Sequence, residues 1–188
     1  MSISRTEAAA SLSEIERTTG RSRELTGYRV GGPILMLWGL IWAVAYVGMG
    51  VLPTRLWGWV WLPLDILGVL ATVLIAGRAS GKPSGADRQA AGWRVLGAML
   101  ALGAFSAAIC LIFRADTPAP YLALPGLECG VIYGVIGVLR MTRYAWIGAA
   151  MFAATLVGFF MFPAWLPFWM AATGGGGLML GGLWLWRA

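Results

Sequence analysis

Residues 30–52 read VGGPILMLWGLIWAVAYVGMGVL, a run of 23 residues without a single charge. A helix crosses the hydrocarbon core of a bilayer with roughly 20 apolar residues. An amphipathic helix of a soluble domain would place charged residues on its outer face. This run has none to place, so it reads as a membrane helix.

Five more stretches of the same kind follow, at about 57–77, 95–113, 121–139, 144–162 and 165–186. The expected fold is therefore all-α: a polytopic membrane protein with six transmembrane helices over residues 30–188. Of the 188 residues, 59% are hydrophobic and 12% are charged, against about 45–50% and 25% in soluble domains. That apolar content excludes disorder. The connecting segments are short and leave no room for a soluble catalytic domain. Residues 1–29 form an arginine-rich segment ahead of the first span. No apolar run follows the start directly, so it does not read as a signal peptide. Ser11 with Glu14, and Ser13 with Glu16, are spaced like capping boxes. They fit either a short helix ending near Gly20, with Leu12 and Ile15 as its apolar stripe, or a frayed tail.

Charge placement gives the orientation. With the N-terminus in the cytoplasm, the tail, the second and fourth loops and the C-terminus collect twelve of the 14 basic residues. Only Arg55 and Arg114 fall on the other side. Basic residues are retained inside during insertion, so both termini are expected in the cytoplasm. Trp57, Trp59, Trp61, Tyr121 and Trp165 then mark the outer boundary. Tyr28, Trp93, Tyr144, Trp146, Trp184 and Trp186 mark the inner one. The net charge of +6 is thereby read as a signal for topology and for anionic lipid, not for nucleic acid. Arg17, Arg21, Arg23 and Arg29 form the basic cluster expected to face the lipid headgroups.

The even spans resemble one another. Leu62-Pro63-Leu64-Asp65-Ile66-Leu67-Gly68 parallels Leu124-Pro125-Gly126-Leu127-Glu128-Cys129-Gly130, and Arg78 and Arg140 follow at the same offset. The sixth opens with Leu166-Pro167. The odd spans begin after the pairs Tyr28-Arg29, Trp93-Arg94 and Arg143-Tyr144. The pattern suggests three in–out–in hairpins, with each proline at helix entry, where its missing N–H costs nothing. Three such hairpins, the proline-then-glycine pattern and the glycine-rich tail Gly177-Leu178-Met179-Leu180-Gly181-Gly182-Leu183-Trp184 resemble the HdeD-type acid-resistance membrane proteins over roughly residues 30–187. The extension from Arg17 to Arg29 departs from them. The resemblance implies a bacterial, stress-associated inner-membrane protein and carries over no catalytic residues.

Asp65 and Glu128 are the two acids inside spans, each roughly 10–12 Å from the outer end at 1.5 Å per residue. No cationic partner is expected beside them, and low dielectric then favours the neutral acid. Intramembrane acids are functional-site candidates by default. They could form a proton-binding pair or line a solute path. Equally, each could bond a neighbouring helix or snorkel toward Arg55 or Arg114. Asp65, Gly68 and Thr72 share one helix face. Gly126, Gly130 and Gly134 form a ladder for close packing, with Glu128 pointing elsewhere. Gly174 to Gly177 mark either a packing seam, continued by Gly181, or a break of the kind that forms sites in transporters. Trp38, Trp42 and Tyr46 form a packing stripe, and Cys110 and Cys129 act as small hydrophobes.

The chain has no histidine. That removes Ser–His and Cys–His catalysis and most zinc sites. No metal, no cofactor and no enzymatic activity are expected. Two readings follow: a non-enzymatic, stress-related or regulatory membrane protein, acting through lipid, self-association or a membrane partner, or a small proton-linked transporter or channel using Asp65 and Glu128. They separate on whether the two carboxyls converge on one water-accessible cavity.

Overall fold

The computed structural model describes residues 5–79 and 85–188. Lys82 and the side chains of Arg5, Glu16, Arg23, Arg88 and Arg94 lie outside the described residues. Seven α-helices account for nearly all of the rest: α1 (Arg5–Val51), α2 (Trp57–Ala79), α3 (Gly85–Phe113), α4 (Ala119–Leu139), α5 (Thr142–Met161), α6 (Leu166–Met170) and α7 (Gly177–Trp186). Single 3-10 turns, Thr54–Leu56 and Pro163–Trp165, precede α2 and α6. The Arg114 backbone turns left-handed, at φ 34°, directly after α3, as is common where helices stop.

Two sequence expectations are corrected here. First, the N-terminal segment and the first span are one helix. α1 passes Gly20 without stopping, so Ser11 and Ser13 lie inside a helix rather than at its start. A lone glycine costs about 1 kcal/mol. That is too little to end a helix that is propagating on both sides. Second, the sixth apolar stretch is not one regular helix. Between α6 and α7, residues Ala171–Gly176 form a π-helical segment. Among the described residues, five helices are long and apolar enough to cross a membrane: Ser11–Val51, Thr54–Arg78, Leu96–Phe113, Ala119–Leu139 and Thr142–Met161.

The prolines also sit deeper than expected. Pro63 and Pro125 lie inside α2 and α4, each at the seventh residue, past the first turn. Of the three even-span prolines, Pro167 alone stands at a helix start. Proline within a membrane helix is tolerated because neighbouring groups and local adjustment re-satisfy the freed carbonyl.

The core joins α1, α4, α5 and the α6–π–α7 unit. Tyr46, Leu166, Met170, Leu185 and Thr155 are its most deeply buried side chains. The most extensive packing is between α4 and α5, then between α1 and α7. α2 lies against α1. α3 has only a slight contact with α4 and no other extensive neighbour among the described residues. Packing therefore does not follow the three-hairpin grouping, since its tightest pair, α4 with α5, joins helices from different units.

Both tight interfaces are antiparallel and built on glycine. On α1, a methyl group added to Gly32 would lie 2.7 Å from the Gly182 carbonyl, and one on Gly39 would lie 2.6 Å from the Gly175 carbonyl. Between α4 and α5, a Cβ on Gly137 would collide with the Ala145 backbone, and one on Gly148 would collide with the Gly134 nitrogen. Lipid tails are as apolar as side chains, so close van der Waals approach is what holds such helices together.

Candidate functional site

The two intramembrane acids are not brought together. Asp65 lies on the α2 face that meets α1. One turn on, a Cβ at Gly68 would touch Ile41 and Trp38. A further turn on, Thr72 accepts a 3.0 Å hydrogen bond from the Trp38 indole. The small polar face of Asp65, Gly68 and Thr72 is thus an interface with α1. Asp65 itself is half-buried.

Glu128 faces α3. Its two carboxyl oxygens lie 2.7 and 2.9 Å from the Ser106 hydroxyl. That hydroxyl is also 3.0 Å from the Leu102 carbonyl, one turn back on the same helix. Ser106 carries a single proton, which it can donate to the carboxyl of Glu128 or to the Leu102 carbonyl, one at a time. This is a cross-helix tie, and sequence reasoning missed the serine. Its only signal was a lone hydroxyl in an otherwise apolar stretch. Ser106→Ala is expected to cost about 0.6 kcal/mol, the usual worth of a membrane helix–helix hydrogen bond. It should loosen α3 alone. Hydrogen exchange should accelerate in residues 101–113 while α4 and α5 keep their protection.

Other polar groups in the spans are also used singly. The Tyr46 hydroxyl donates to the Leu122 carbonyl at 2.8 Å. The Trp61 indole donates to the Met49 sulfur at 2.8 Å, and the Trp169 indole donates to the Ala154 carbonyl at 2.8 Å. The expected stripe of Trp38, Trp42 and Tyr46 faces α2, where Trp42 and Tyr46 pack edge-on against Trp61. Trp61 therefore belongs to the packed interior, not to a lipid-facing belt.

At the end of the bundle that carries Arg143, a second cluster ties three helices. The Arg143 guanidinium sits over the Tyr28 ring at 5.4 Å and the Trp184 ring at 5.0 Å. It donates to the Trp184 carbonyl at 2.7 Å. The Arg143 backbone N–H donates to the Tyr28 hydroxyl, which in turn donates to Glu24. Tyr144 stacks on Tyr28. Tyr28 and Tyr144 were read only as boundary residues. Their neighbours Gly27 and Gly31 leave space for Met141 and for the Tyr144 hydroxyl.

The expected glycine positions divide. Gly126 abuts Thr155 and Met170, and Gly130 abuts Phe152 and the Gly148 carbonyl. Gly134 has open space where a side chain would stand, although its backbone is touched by Gly148. Gly174 packs on Trp42 and Gly181 on Ile147, whereas Gly177 faces open space. Gly175 lies in the expected glycine run, whereas Gly32, Gly39, Gly137, Gly148 and Gly182 were not foreseen as seam residues.

Of the basic cluster, Arg21 and Arg29 line a shallow cleft of about 400 Å³ that also includes Thr18 and Ala188. Arg17 is exposed. A larger groove of about 590 Å³ runs between α5 and the π–α7 unit. An apolar cavity of about 390 Å³ lies between α3, α4 and α5, bordered by Cys110, Leu124 and Thr155. Neither Asp65 nor Glu128 lines any of these three spaces. Cys110 and Cys129 are free thiols. Among the described residues, no group of three or more Cys, Asp or Glu side chains could hold a metal ion.

Comparison with protein-family models, curated proteins and solved structures returned no match.

Proposed function

We propose that this chain is a six-span bacterial inner-membrane protein that works through packing and partners rather than catalysis. Its role is stress-related or regulatory, as the resemblance to the HdeD-type proteins implies. In this reading the α6–π–α7 unit is the sixth crossing. Its 21 residues from Leu166 to Trp186 reach about 30 Å at 1.5 Å per residue, the thickness of the hydrocarbon core. Both termini then lie in the cytoplasm. Arg17, Arg21 and Arg29 face the anionic leaflet, and the apolar faces of α2 and α3 are available to lipid, to a second copy or to a membrane partner.

The observation that carries the proposal is the separation of the two acids. Asp65 belongs to the α1–α2 interface and Glu128 to the α3–α4 interface. A carrier built on this pair needs both carboxyls on one path, and the arrangement lends that reading no support.

Reconstitution into vesicles loaded with a pH-sensitive dye tests it. Proton flux is expected to match protein-free vesicles for the native chain and for Asp65→Asn and Glu128→Gln alike. Flux that is present in the native chain and lost in either variant would overturn the proposal in favour of the carrier. The topology is tested separately. A reporter fused after Ala188 is expected to behave as cytoplasmic, and a periplasmic signal would remove the sixth crossing.

A further inference from the structure

The π–α7 unit carries glycines that face α1, one, Gly181, that faces Ile147 on α5, and two that no contact within the protein accounts for. Gly175 and Gly182 meet α1 backbone, so no side chain fits there. Gly176 and Gly177 meet nothing within 4 Å. A helical glycine costs about 1 kcal/mol relative to alanine, and here no helix approach requires it. These two glycines instead floor the 590 Å³ groove, with Ala150 and Ala154 on the α5 wall and Trp146 and Trp184 at one end. The groove extends about 12 Å along α5, from Trp146 to Ala154, at helical rise. Its walls are mainly apolar, with Thr173 among them. π-Helical segments inside helices are frequent at functional sites.

The tryptophan end is electropositive. Arg143 lies one turn before Trp146 on α5, with its guanidinium on the Trp184 ring. One of its five N–H donors goes to the Trp184 carbonyl. Among the described residues it forms no ion pair; Glu24 accepts a hydrogen bond from Tyr28. Arg187 follows Trp184 by three residues and is exposed. A long apolar slot with an unpaired guanidinium at its mouth matches one kind of molecule: a chain of methylenes ending in an anionic phosphate.

We infer that this groove is a binding site for one anionic phospholipid. An acyl chain lies over Gly176 and Gly177, and the phosphate sits on Arg143 with Arg187 beside it. The inference rests on the membrane reading above, in which the Arg143 end faces the anionic leaflet.

The test uses the full chain in nanodiscs of equal phosphatidylglycerol and phosphatidylcholine, released into native mass spectrometry. One retained phosphatidylglycerol per chain is expected. Gly177→Leu enters the slot from a position where an added Cβ meets nothing within 4 Å, so it should lower retention at least tenfold while leaving the melting temperature in place. Arg143→Gln should abolish the preference for phosphatidylglycerol over phosphatidylcholine, and Arg143→Lys should restore it in part. Retention unchanged in Gly177→Leu would overturn the inference. So would a dimer that only Gly177→Leu dissociates, since the occupant would then be a second copy. These failures leave the reporter result after Ala188 untouched, whereas a periplasmic reporter would remove the underlying reading itself.

Discussion

Gly137→Ala and Gly148→Ala are each expected to destabilise the protein by about 3 kcal/mol, while Gly134→Ala leaves it unchanged or slightly more stable. All three residues lie where α4 meets α5. The added methyl meets backbone in two cases: the Ala145 nitrogen and Cα for Gly137, and the Gly134 nitrogen and Gly130 carbonyl for Gly148. Backbone cannot rotate aside as a side chain can, so the helices must separate. Overpacking commonly costs about 1–3 kcal/mol, and contacts to rigid backbone belong at the upper end. At Gly134 the methyl enters open space and gains up to about 1 kcal/mol of helix propensity. Unfolding by SDS titration in mixed micelles measures all three. Equal loss at Gly134 and Gly137 would show that α4 and α5 are not paired in this register.

Tyr46→Ala is expected to cost about 3–5 kcal/mol, the usual range for emptying a large aromatic site. Tyr46 has no exposed surface. It joins three helices, with its ring 5.6 Å from both Trp42 on α1 and Trp61 on α2 and its hydroxyl on the Leu122 carbonyl of α4. The ring and the hydroxyl can be separated. Tyr46→Phe keeps the packing and removes one hydrogen bond, for about 0.6 kcal/mol and no more than about 1.7. The same titration should therefore give a several-fold difference between the two variants. Equal effects would assign the site to its hydroxyl and contradict the packing account.

The glycine ladder shows how far the sequence could be read. Its start is legible: Gly126 and Gly130 face the partner helix as the spacing suggests. Its continuation is not, because a helix advances about 100° per residue. Each step of four adds about 40°, so Gly134 has rotated about 80° from Gly126 while Gly137 has returned to within about 20°. A run of strict fours drifts off its own face, and the seam continues through a step of three. The other face of the problem is the partner. Nothing in α4 says that Gly148 and Ala145 will be there. The same limit applies to Glu128, whose tie to Ser106 depends on how α3 is docked. It applies also to Gly177, which a π segment and the face of α7 direct away from α1. The apolar spans were legible because length and charge are local properties. The π segment was foreshadowed only as a run of four glycines, and the merging of tail and span into α1 was hidden by Gly20.

That merging gives the chain a mechanical property. α1 is one continuous helix about 70 Å long at helical rise, more than twice the thickness of a hydrocarbon core. Its residues 5–29 form an arm of roughly 37 Å, with Pro33 just beyond it where the span begins. Membrane helices change tilt as bilayer thickness changes. A tilt of about 10° would swing the tip of this arm sideways by about 6 Å. The same tilt displaces a longer arm further, so the far end of residues 5–29 moves more than the span that carries it.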